Sequence, residues 1–208
     1  HEGICNRFKD IYYNYYFDRN KGNFTKTLST HCFIIKKDLF LKKEGFNENI
    51  KNASIEDAEF GNKIRDEKIF LGREVKVTHL KNYNIKSLLK TDFKMAKNKI
   101  KSILRGRYKS HMINISNKKE DTLSMILEIF IVSLIPFNIV LLTLKSSILT
   151  LNLIFLIILY TILNFSFLKE FYKNRISIIK IFFLNYLDKL AISLGLIFGF
   201  LEYFFKKY

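Results

Sequence analysis

Tryptophan is missing from this chain, proline occurs once, and the cysteines number two. Cys5 and Cys32 lie far apart with no C-x-x-C and no second pair, so neither a disulfide framework nor a zinc site is indicated, and a reducing cytoplasm fits. The scarcity of Ala, Gly, Pro and Trp beside abundant Lys, Asn, Ile, Phe and Tyr is the pattern that codon bias in an AT-rich genome produces. Acidic residues are also few: 35 Lys and Arg face 19 Asp and Glu, a net charge of +16. No DNA or RNA recognition motif accompanies that charge. Attraction to an anionic membrane surface, about 1 kcal/mol per basic residue near the leaflet, explains it better than a nucleic-acid site. There is no internal repeat and no signal peptide, and the first residue is His1, so the chain reads as starting inside a longer protein.

What the sequence does have is apolar length. A transmembrane helix needs roughly 20 largely apolar residues, and two stretches supply them. Leu123 to Leu144 carries one acid, Glu128, and the single proline, Pro136, while Ser147 to Leu168 carries no charge. Both are expected to span a membrane. A third apolar run, Ile176 to Phe205, is interrupted by Lys180, Asp188 and Lys189, each costing about 2.5–3.5 kcal/mol at mid-bilayer. It is therefore expected to split into an interfacial helix, 176–187, and a short third span, 190–205. Basic residues precede the first span and recur at Lys169, Lys173, Arg175 and Lys180, which puts those sides in the cytoplasm and the turn Lys145 to Ser146 outside.

Residues 1–120 form a water-soluble part, and 121–208 the membrane region. Ile4 to Phe17 is expected to be helical, Thr30 to Ile35 a short β-run, and Asp38 to Lys43 a helical turn stopped by Gly45. Ser54 caps a helix to about Lys68 with Asp57 in the capping position. Glu74 to Leu80 alternates Val75, Val77 and His79 against Lys76 and Thr78, a strand pattern. A long amphipathic helix, roughly Ile85 to Leu104, leads toward the membrane.

The order of parts from Thr30 to Phe93 resembles the C-terminal half of the catalytic domain of membrane-bound family 2 glycosyltransferases. A strand and helical turn (FIIKKDLF) lead to a G-F-x-E loop at Gly45-Phe46-Asn47-Glu48. The acidic pair Glu56-Asp57 then opens a helix, and a strand ends in V-x-H at Val77-Thr78-His79. The resemblance implies an α/β, A-type nucleotide-sugar transferase fold followed by transmembrane helices. It further implies inverting transfer of a sugar from a nucleotide-sugar donor to a saccharide or polyprenyl-phosphate-linked acceptor at the cytoplasmic face of a bacterial plasma membrane. In that family the aspartate of the acidic pair is the base that deprotonates the acceptor hydroxyl. Here that would be Asp57, with Glu56 orienting the acceptor. Gly45 and Phe46 would lie near the sugar, and His79 would complete a divalent-metal site for Mn²⁺ or Mg²⁺.

Each of these residues also has a plainer role. S-x-x-D before a helix is an ordinary capping box, a lone His on a strand face is usually hydrogen-bonded core, and Gly45 suits a helix C-cap. Arg105-Gly106-Arg107-Tyr108 departs from the Q-x-x-R-W signature of processive synthases. No D-x-D occurs, so the donor-binding half has no counterpart here and the chain alone is expected to be inactive. A non-enzymatic membrane module, whose basic face binds anionic lipid or a protein partner, is the alternative reading.

Overall fold

A computed structural model describes residues 3–19, 22–25, 28, 32–48, 56–75, 77, 80–105, 119–144 and 147–205. Within them the chain forms α1 (Ile4–Arg19), β1 (Phe24–Thr25), α2 (Lys37–Lys42), α3 (Glu56–Lys63), β2 (Ile69–Phe70), α4 (Ile85–Leu104), α5 (Lys119–Leu141), α6 (Ser147–Lys173) and α7 (Ile178–Phe205). The α/β, A-type fold is thus overturned. Seven helices dominate, and the strands among the described residues are two, each of two residues, paired antiparallel with Phe24 opposite Phe70.

The runs expected as strands show why. Glu74 lies in a turn and Val75 and Val77 are coil, 63% and 55% exposed, while Lys76, Thr78 and His79 fall outside the described residues. Of the earlier run, Phe33 to Ile35 is coil and Ile34 is fully open at 99% exposure. Alternation marks a strand only where a neighbouring strand completes the ladder and a layer covers one face, and among the described residues neither is found for these runs.

Helix ends follow local chemistry. Asn84 caps α4, accepting from the Ser87 amide at 2.8 Å while Ser87 Oγ accepts from the Asn84 amide at 2.9 Å, a reciprocal capping box. α2 ends in a Schellman motif: the Gly45 amide donates to the Phe40 carbonyl and the Glu44 amide to that of Leu41, with φ of +57° at Glu44 and +48° at Gly45. α6 ends the same way. There Ile176 donates to Phe171 and Arg175, with φ +54°, donates to Tyr172, and two further residues lead into α7.

The α7 helix corrects a second expectation. It runs unbroken from Ile178 to Phe205, so the separate interfacial helix at 176–187 and short span at 190–205 are one element. Of the charges assumed to interrupt it, Asp188 and Lys189 are buried and paired, as described below, and Lys180 is exposed. α6 and α7 are both long and apolar enough to cross a membrane, and residues 126–141 of α5 form a shorter apolar helix.

α4 lies against α7, and the two run parallel. Gly195 faces Phe93 and Ala96, Gly199 faces Lys97 and Ile100, Glu202 takes Lys97 and Lys101 at 2.9 Å each, and Tyr203 Oη donates to the Leu104 carbonyl. Both sequence positions rise together along this seam. α5, α6 and α7 pack into a bundle around Ile131, Val132, Ile135, Leu156 and Tyr160, while α1 docks on the C-terminal half of α6 through Phe8, Phe167 and Phe171.

A side chain at Gly199 would drive its first carbon into the Lys97 carbonyl and the Ile100 side chain. Gly199→Leu should therefore lower the unfolding free energy by about 1–3 kcal/mol, the usual cost of overpacking. Gly72→Ala, whose new carbon meets only Val75 at 3.6 Å, serves as the control. Denaturant unfolding in detergent micelles measures both.

Candidate functional site

The residues singled out by sequence gather around α3. Glu56 and Asp57 occupy its first turn, where the helix dipole favours carboxylates, and Asp57 Oδ1 accepts from the Ala58 amide at 2.7 Å. Ser54, the expected cap, lies outside the described residues. Phe46 packs on Phe60 of α3 at 5.1 Å between ring centres and on Phe40 at 5.4 Å. The G-F-x-E loop is thereby held against the helix that bears the acidic pair. Lys63 Nζ closes the same loop by donating to the carbonyls of Glu44 and Gly45.

Gly45 is accounted for by this local structure. It ends the Schellman motif of α2, and the Phe40 ring stands 3.0 Å from where a Cβ would be. Phe46 is half-buried and packs between the Phe40 and Phe60 rings. The Asp57 carboxylate lies near Lys99 of α4, where burial pushes the ammonium down and Asp57 works against that shift. His79, the expected metal ligand, lies outside the described residues. Among the described residues no three His, Cys, Asp or Glu side chains gather as a metal site would require.

Glu59, on the same helix, is the acid that is enclosed. It accepts from Asn47 Nδ2 at 3.0 Å and from Ser102 Oγ at 2.5 Å, so α3 is tied to α4 as well as to the loop. These contacts satisfy the carboxylate and fix the helix. They leave Glu59 acting as a strut between elements.

Sequence reading missed the pairing of the most enclosed charges among the described residues. Lys9 of α1 reaches Asp92 of α4 at 2.6 Å and Asp188 of α7 at 3.9 Å, and the three are 4%, 9% and 0% exposed. The Lys9 ammonium also stands 5.0 Å from the centre of the Tyr12 ring, a cation–π contact. One residue along α7, Lys189 pairs with Glu128 of α5 at 2.9 Å, both buried. Asn6 supports the first cluster from behind, accepting from the Tyr83 amide at 2.6 Å. Burial pushes the Tyr83 hydroxyl up to about 12.

Polar pairs continue along the bundle. Asn185 Nδ2 donates to Tyr160 Oη at 2.7 Å and to Asn164 Oδ1 at 2.8 Å, the Ser133 and Ser193 hydroxyls meet at 2.6 Å, and Asn152 donates to Asn138 at 2.8 Å. Such pairs fix helix register where apolar packing alone discriminates poorly. A signal for them did exist in the sequence: Lys9, Asp92, Asp188 and Lys189 each interrupt an otherwise apolar helical face, and isolated charges on such faces need partners.

Removing one member of a buried ion cluster strands the others. Lys9→Met should destabilise the fold by about 3–5 kcal/mol, whereas the triple exchange Lys9→Met, Asp92→Leu and Asp188→Leu should recover most of the loss. Unfolding midpoints of the two variants in one detergent decide it; equal losses would mean that the three charges do not act together.

Compared with known proteins, the chain matches no family model, no curated protein and no solved structure.

Proposed function

We propose that this chain is a helical membrane module, non-enzymatic in itself, that holds a lysine-rich layer against a bilayer. The observation that carries this reading is the outer surface of α6. Ile148, Leu151, Phe155, Ile158, Ile162 and Phe165 are each more than half exposed, on a helix without a charge from Ser147 to Leu168. Leaving such side chains in water forgoes about 1.5–3 kcal/mol each, and a patch of that extent calls for lipid or a partner. α4 limits the depth. Its exposed Lys86, Lys90 and Lys94 would each cost about 2.5–3.5 kcal/mol in hydrocarbon, so α4 stays at headgroup level with α7 beside it. The membrane in this reading is a bacterial plasma membrane with the basic end cytoplasmic. In support, Arg7 of α1 donates to the Asn174 carbonyl at 2.9 Å, which puts α1 beside the segment rich in Lys and Arg between 169 and 180.

Cell membranes carrying the chain should retain it through an alkaline carbonate wash. The double variant Ile158→Arg and Ile162→Arg, at about 2.5–3.5 kcal/mol per arginine, should be released. Recovery of the unaltered chain in the supernatant would sink the membrane reading.

Sugar transfer from a nucleotide-sugar donor to a lipid-linked acceptor is a second reading, favoured by one observation. The G-F-x-E loop and the Glu56-Asp57 helix pack together through Phe46 and Phe60. This reading draws on the ordered motifs and not on the fold, which is helical. With Asp57 as base, Asp57→Asn in the full-length gene product should lower turnover about 10²–10⁴-fold with little change in stability, because Asn caps a helix as well as Asp does. Turnover above about a tenth of the original, outside that range, would remove Asp57 from catalysis.

A further inference from the structure

We propose that the flank shared by α4 and α7 is a docking surface for the headgroups of anionic phospholipid, so that this module selects negatively charged leaflets. The inference rests on the membrane reading above and names the lipid it takes. At 100° per residue, Lys86, Lys90, Lys94, Lys97 and Lys101 form one row along α4. The last two are tied to Glu202 of α7 at 2.9 Å, which fixes the row along the edge of the α4–α7 seam. Lys86, Lys90 and Lys94 are exposed, and no ion pair among the described residues takes them.

On α7 the same spacing aligns Phe183, Leu187, Leu194, Phe198, Leu201 and Phe205, which are 39–80% exposed. Phe198 joins the two rows, because its ring meets that of Phe93 on α4 at 5.8 Å while remaining 55% exposed. The opposite flank of α4 is occupied: Leu88 and Asp92 face α1, and Ser102 faces α3. One open side therefore carries a cationic row directly beside an apolar row. Acyl chains take the apolar row and phosphates the lysines, whose stems lie along the boundary. A soluble acidic partner would match the lysines but leave the aromatic and aliphatic row in water.

The test uses the full chain in nanodiscs, in a Cys32→Ser background that keeps the buried Cys5. A bimane probe is attached at Leu194→Cys on α7 or, as reference, at Ile158→Cys on α6, and is quenched by brominated phosphatidylglycerol or brominated phosphatidylcholine. At position 194 the anionic lipid should be preferred by roughly five-fold per lysine, on the order of 100-fold for three. The preference should fall toward unity in the Lys86→Gln, Lys90→Gln, Lys94→Gln variant and stay near unity at position 158 throughout. Equal quenching by the two lipids at 194, no quenching there while 158 is quenched, or a preference untouched by the lysine exchanges overturns the inference and leaves the membrane reading standing. Quenching at neither position overturns both.

Discussion

The seam between α4 and α7 is the contact on which the rest of the fold depends. Two glycines a helical turn apart, Gly195 and Gly199, let the α7 backbone come against the Phe93 and Lys97 carbonyls of α4, closer than any side chain would permit. That approach carries Asp92 to Asp188, sets Glu202 between Lys97 and Lys101, and aligns Tyr203 with the Leu104 carbonyl. α3 reaches the bundle through Glu59 and Ser102 of α4. α1 reaches it through Lys9 and through aromatic packing on α6. Moving α4 outward by the width of one methyl group would loosen each of these in turn.

Charge burial is the second constraint. Two cations, Lys9 and Lys189, serve three carboxyl groups, those of Asp92, Asp188 and Glu128, all within a short stretch of the α7 axis. Replacing such clusters by apolar residues often leaves stability unchanged or higher, so their value here is in alignment. Each ion pair exists at one register of α1, α4, α5 and α7, and slipping a helix by one turn would strand a charge in an apolar core.

The sequence was legible where local rules decide the outcome. α4 begins at the Asn84 cap and ends at Leu104 as its periodicity indicated, and α1 and α2 begin within a residue of the expected starts. The reading went astray where a local pattern lacked its tertiary partner. Val75 and Val77 alternate as strand residues do, yet no strand among the described residues pairs with them. Asp188 and Lys189 were taken as breaks in a span because their partners, Lys9 and Glu128, are 179 and 61 positions away, which no spacing rule links. Gly195 and Gly199 stand one turn apart, as glycines at a close helix crossing do, but nothing in that spacing singles out α4 as the helix that approaches. Of the acidic-pair site, only the order of loop and helix was legible along the chain; the Phe46–Phe60 contact that joins them had no sequence signal, and Glu59, the enclosed carboxylate, carried no motif of its own.

The parallel pairing of α4 with α7 also dictates when the protein can become itself. A ribosome adding about 5–20 residues each second finishes α4 well before the glycine pair that receives it has been made. Until then Ala96 of α4 has no covering helix, and Lys9 lacks one of its two carboxylates. The seam face of α4 thus waits for α7 to be made. Loss of the α7 turns that carry Asp188, Gly195 and Gly199 would be felt at Lys9, 179 positions before Asp188.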